Sequence, residues 1–110
     1  IHTREVDTAY MRGVDLLQKR RYAKALYILH EYHDRNTVVT LLSLGHDAQA
    51  FEMLDGLEQT ATVEYLKAVA CSRLGRKAEG REHFLTACGM DERMQYRGNL
   101  DPEITELLKE

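Results

Sequence analysis

The sequence has no tryptophan, one proline and two cysteines among 110 residues. Cys71 and Cys88 are too few for the disulfide scaffold that small secreted domains use in place of a core, and they form no C-x-x-C pair. Glycine is sparse too, at 7 residues, so few positions force a helix to break. An excess of charge of one sign is also missing. Fifteen Lys and Arg stand against 18 Asp and Glu, a net charge of −3, and no basic field recruits nucleic acid or an anionic membrane. No apolar run approaches the roughly 20 residues of a membrane span, so no membrane insertion is expected. No charged segment followed by an apolar one opens the chain. P-loop, G-x-G-x-x-G, G-x-S-x-G and H-E-x-x-H patterns are absent from the sequence. The expectation is a non-enzyme without cofactor or metal. With 44% hydrophobic and 30% charged residues, residues 1–110 suffice for one domain with one core. The first residue is Ile1 rather than Met, which suggests a segment of a longer protein whose other domains are among its partners.

What is present is helical periodicity. Val6, Tyr10, Gly13/Val14 and Leu17 draw one apolar stripe, predicting a helix from Val6 to Lys19. A second helix spans Tyr22–Tyr32. Asn36 is the expected N-cap of a third, Thr37–Leu44, which Gly45 ends in a left-handed conformation. Asp47 is expected to cap a fourth over Ala48–Leu57. Thr60 or Thr62 starts a fifth through Val63, Leu66, Ala70 and Leu74, ended by Gly75, and Lys77–Cys88 returns antiparallel to it. Residues 91–99 are polar and irregular. Asp101-Pro102-Glu103 then opens a last helix, since Pro at the first helical position gives up no needed N–H and carboxylates suit the positive helix end.

Aligning the turns brings Ala25, Ala50 and Gly80 into register, each followed four residues later by a large apolar residue: Leu29, Leu54 and Phe84. Gly13 and Ala25 are twelve apart, as are Ala68 and Gly80, and Ala87 with Met90-Asp91 closes the third unit. In these positions the chain resembles the tetratricopeptide repeat family, over roughly residues 3–91. The small-residue spacings are 25 and 30 rather than the family's 34, and its signature aromatic and Pro positions are missing. Asn36-Thr37 together with residues 96–104 also resembles the C-terminal helical segment of large bacterial envelope proteins. That likeness implies the cell envelope or periplasm, the alternative being the cytoplasm.

The resemblance implies an all-α fold of about three antiparallel helix pairs (3–35, 36–59 and 60–91) in a right-handed superhelix, closed by a C-terminal capping helix within 92–110. It implies a concave groove lined by first helices, with Asp7, Tyr10, Val14, Leu17 and Gln18, then Val39, Leu42 and Ser43, then Tyr65, Val69, Ser72 and Arg73 facing it. Val14, Val39 and Val69 stand where carboxylate-gripping members place Asn, which argues against a clamp for a partner's C-terminus. The expected function is a protein or peptide interaction module or scaffold, binding through Tyr10, Val14, Leu17, Val39, Leu42, Tyr65, Val69 and Arg73. The alternative is a spacer whose groove is filled by its own C-terminal helix through Ile104, Leu107 and Leu108.

His30, His33 and Asp34 fall at i, i+3 and i+4. They read as a helix end favouring histidine rather than a metal site, because a third and fourth ligand are not in view. His2, His46 and His83 read as surface or turn residues. For the cysteines, a turn centred near 75–76 sets Cys71 opposite residue 80 and leaves Cys88 about 12 Å further along the helix, beyond the ~7 Å Cα limit of a bridge. Two free, mostly buried thiols that behave as small apolar residues are expected.

Overall fold

A computed structural model describes residues 7–109. Among the described residues eight helices follow one another: α1 (Thr8–Gln18), α2 (Tyr22–Leu29), α3 (Arg35–Ser43), α4 (Asp47–Asp55), α5 (Ala61–Leu74), α6 (Lys77–Met90), α7 (Arg93–Asn99) and α8 (Pro102–Leu108). No strand occurs among the described residues, and no helix there is long and apolar enough to cross a membrane. Val6 and His2 lie outside them. Each helix packs on its chain neighbours in an oblong body of 49 × 32 × 23 Å, and α8 folds back on α5 and α6.

The turns are set by chemistry legible in the sequence. Gly45 and Gly75 take φ of 81° and 77°, a region closed to most residues with a Cβ. Thr60 accepts from the Val63 N–H, and Asp101 from the Glu103 N–H with Pro102 following, as expected of caps. Two caps differ. Asp34, not Asn36, starts α3 by accepting from the Thr37 N–H, so the helix begins at Arg35 and Asn36 is free to bond elsewhere. The side chain of Asp47 caps nothing, because α4 already includes that residue. Residues expected to be irregular instead form α7, a seven-residue helix with only Gly98 buried. Such a helix carries no apolar stripe and is held by what it touches.

The core has two parts that share α5. Val38, Leu41 and Leu42 of α3 meet Ala50, Phe51 and Leu54 of α4 and Val63, Leu66, Ala70 and Cys71 of α5. Tyr65, Ala68 and Val69 on the other side of α5 meet Phe84 and Ala87 of α6 and Ile104 and Leu107 of α8. α5 is therefore buried all round from Val63 to Cys71, including Glu64 and Lys67. Both have polar partners: Lys67 Nζ lies 2.8 Å from Asp55 Oδ1 and 2.5 Å from the side-chain oxygen Oε1 of Gln59, and Glu64 Oε2 lies 2.6 Å from His83 Nδ1. Without those partners, ions at this depth would cost several kcal/mol.

Candidate functional site

Hydrogen bonds tie α1 to α3 and α3 to α5. The Tyr10 hydroxyl near the start of α1 donates to Asp34 Oδ2 (2.5 Å) and accepts from Asn36 Nδ2 (2.7 Å), both at the start of α3. Thr60 and Val63, at the start of α5, join Tyr10, Asp34 and Asn36 around a cleft of about 360 Å³. At the far ends, Arg73 of α5 donates to the Leu42 carbonyl of α3 (2.5 Å) and to Asp47 (3.1 Å). The starts of α1 and α3 thus meet, as do the last turns of α3 and α5.

Tyr10 packs against Tyr32 with the ring planes tilted by 58° and centroids 4.8 Å apart, and Tyr32 donates to Asp7 Oδ2 (2.7 Å). This hydrogen bond to a carboxylate, which favours the neutral phenol, pushes Tyr32 up to about 12. Asp7 in turn is held below its ordinary value, first by Tyr32 and then by the Tyr10 N–H.

The eight residues expected to line the groove separate into two groups. Tyr10, Val14 and Leu17 on α1 are half-buried, and Val39 on α3 is 36% exposed. Leu42, Tyr65 and Val69 are inside, Tyr65 with 1% of its surface left. Tyr65 and Val69 lie in the core that includes Ile104 and Leu107, both with none exposed, while Leu108 stays outside. Ser72 donates to the Glu103 carbonyl (2.9 Å), and Arg73 reaches the Glu103 carboxylate (2.5 Å). Arg73 is thus tied to α3, α4 and α8 at once. The side of α5 that carries Tyr65, Val69, Ser72 and Arg73 is covered by α8.

Tyr65 completes that closure. Its hydroxyl donates to Asp101 Oδ2 (2.7 Å), the Arg97 guanidinium covers its ring at 4.3 Å, and Phe84 meets it edge-on. Burial, followed by the Asp101 hydrogen bond, raises the Tyr65 pKa above the ordinary 10. The folded state thus favours the neutral phenol. Its contribution is complete below pH 10, the unfolded value, and is lost as pH rises toward the folded value. Denaturant unfolding at pH 7.5 and pH 11 should show wild type losing more stability between the two than Tyr65→Phe, which gives up about 1 kcal/mol at pH 7.5. Parallel losses in both proteins would contradict this assignment.

The histidines are redistributed. α2 ends at Leu29, so His30 is its C-cap, with Nδ1 2.8 Å from the Tyr27 carbonyl, and His33 falls in the loop. Asp34 is committed to Thr37 and Tyr10, and no metal-holding group forms there among the described residues. A hollow of about 490 Å³ lies beside them, lined by Leu26, His30, His33, Thr37, Leu41, Gln49, Glu52 and Met53. His83 is no surface residue. It is partly buried between α5 and α6, with Nδ1 on Glu64 and Phe51 edge-on to its ring. The i, i+4 pair Glu79 and His83 was the available signal, but its counterpart on α5 is visible only once the hairpin is folded. Both cysteines are free, as expected; Cys71 is buried and Cys88 half-buried.

No family model, curated protein or solved structure matches this chain.

Proposed function

We propose that the chain is a non-catalytic, tetratricopeptide-like interaction module that receives a short amphipathic helix of a partner protein on the face made by Tyr10, Val14, Leu17 and Val39. The observation that carries this reading is α8. A seven-residue amphipathic helix is already seated beside α5 by two apolar anchors three residues apart, Ile104 and Leu107, and by a carboxylate held by Arg73. That is the helix-in-groove mode of recognition, realised within one chain. On α1 and α3, Tyr10, Val14, Leu17 and Val39 are only partly covered and supply the open apolar surface for such a helix.

The burial of Ile104 and Leu107 also favours a second reading, a spacer or capping domain that seals its own groove. Display selection of helical peptides separates the two. Peptides enriched on the wild type should carry apolar anchors at i and i+3 or i+4 and lose at least about tenfold in affinity for a Val14→Lys, Val39→Lys variant that melts like the wild type. Enrichment of no peptide, or of peptides indifferent to the double variant, would favour the spacer.

A further inference from the structure

Between α5 and α6, away from the groove, the structure gathers ligands of three kinds. A ligand atom from each of Cys71, Glu79 and His83 lies within 4.8 Å of the others. Glu79 and His83 share a face of α6 at i, i+4, with Glu79 Oε2 3.7 Å from His83 Nε2. Cys71 comes from α5 opposite, in reach because residue 80 is glycine. A Cβ there would stand 2.9 Å from the Cys71 Cβ, so only a bare backbone lets the helices close this far. Glu64, two turns before Cys71 on α5, completes the arrangement from behind. His83 Nδ1 lies 2.6 Å from the Glu64 carboxylate, which leaves Nε2 as the ring nitrogen on the side of Glu79.

We propose that Cys71 Sγ, His83 Nε2 and the Glu79 carboxylate bind one divalent transition-metal ion, zinc by ligand type, with Glu64 as the positioning residue for the imidazole. A soft thiolate with imidazole and one carboxylate selects zinc over magnesium or calcium, which take all-oxygen sets. Tetrahedral zinc spaces its N, O and S ligands about 3.3–3.6 Å apart, so the side-chain ends need close by no more than about 1.5 Å. The carboxylate–histidine hydrogen bond is the outer contact that commonly fixes a zinc-binding imidazole. Thiolate and carboxylate together neutralise the dication, Phe51 packs edge-on against the His83 ring, and the half-exposed Glu79 leaves an entry path. On binding, the Sγ–H bond breaks, a sulfur–metal bond forms and the proton leaves to solvent. Three protein ligands leave one position for water or a donor from a partner.

The test is titration of the full chain with Zn²⁺ and, for spectroscopy, Co²⁺. One equivalent should bind, raise the melting temperature by about 5 °C or more, and with Co²⁺ give a thiolate-to-metal charge-transfer band. Cys71→Ser should abolish the band. Glu79→Gln, at a half-exposed carboxylate whose change leaves the fold intact, should weaken binding at least about tenfold, and Glu64→Gln about tenfold while keeping the band. His33→Ala should change nothing. Failure of the folded wild type to bind one equivalent, a band that survives Cys71→Ser and so belongs to Cys88, or affinity indifferent to Glu79→Gln would each overturn the site.

Discussion

Removal of residues 101–110 is expected to leave a chain that no longer melts cooperatively at 37 °C. α8 buries Ile104 and Leu107 completely, at about 1.5–3 kcal/mol each. The deletion also removes Asp101 from the Tyr65 hydroxyl, Glu103 from Ser72 and Arg73, and the Leu107 carbonyl from Arg81, bonds worth about 1 kcal/mol apiece. The sum is comparable with the whole stability of a small domain, about 5–15 kcal/mol. What remains should keep much of its helix while Val69 and Phe84 meet water, so an apolar dye should bind it strongly. The measurement is a circular-dichroism melt with dye titration. A truncated chain melting within about 3 °C of the full one, with no added dye binding, would show that α8 does not hold the core. The milder Leu107→Ala should cost about 2–5 kcal/mol and keep the fold.

Gly98→Ala is expected to destabilise by about 1–3 kcal/mol, although residue 98 lies in a short helix that looks dispensable from the sequence. A Cβ at this position would sit 2.5 Å from two ring carbons of Phe84 and 3.2 Å from Ile104 Cγ2. Phe84 cannot yield, since it is 1% exposed and held edge-on by Tyr65. Phe84→Ala alone should cost about 3–5 kcal/mol by leaving a cavity between α5, α6 and α8. The two sites touch, so a double-mutant cycle decides the mechanism. In a Phe84→Leu background the Gly98→Ala cost should fall by at least half, and an unchanged cost would mean the glycine matters for some reason other than contact with the ring.

These predictions fall where sequence reading was weakest. The paired helices up to residue 90 were legible because their apolar residues recur at helical spacing and Gly45, Gly75, Thr60 and Asp101 punctuate them. α7 was not, because Arg93–Asn99 has no apolar stripe of its own and is stabilised by contact with α6 and α8. In α5, Glu64 and Lys67 suggest a solvent-facing side that the folded helix does not have. Its charges find Asp55, Gln59 and His83 on neighbouring elements, and no local pattern could show that. The residue types expected to line a groove were legible by their spacing, but the burial of Tyr65 and Val69 depends on α8.

The sequence by itself determined an all-helical chain, its main turns, two cysteines too far apart to bridge, and a last helix starting at Pro102. These are local properties, set by spacing, capping and backbone freedom within a few residues. Only the tertiary structure decided that α8 would lie on α5 and α6 and enclose Tyr65 and Val69. It also decided that Asp34 would be shared between α1 and α3, and that Cys71, Glu79 and His83 would meet. Each of those outcomes depends on how closely two helix backbones approach, which is fixed by glycines and large side chains from distant segments fitting together.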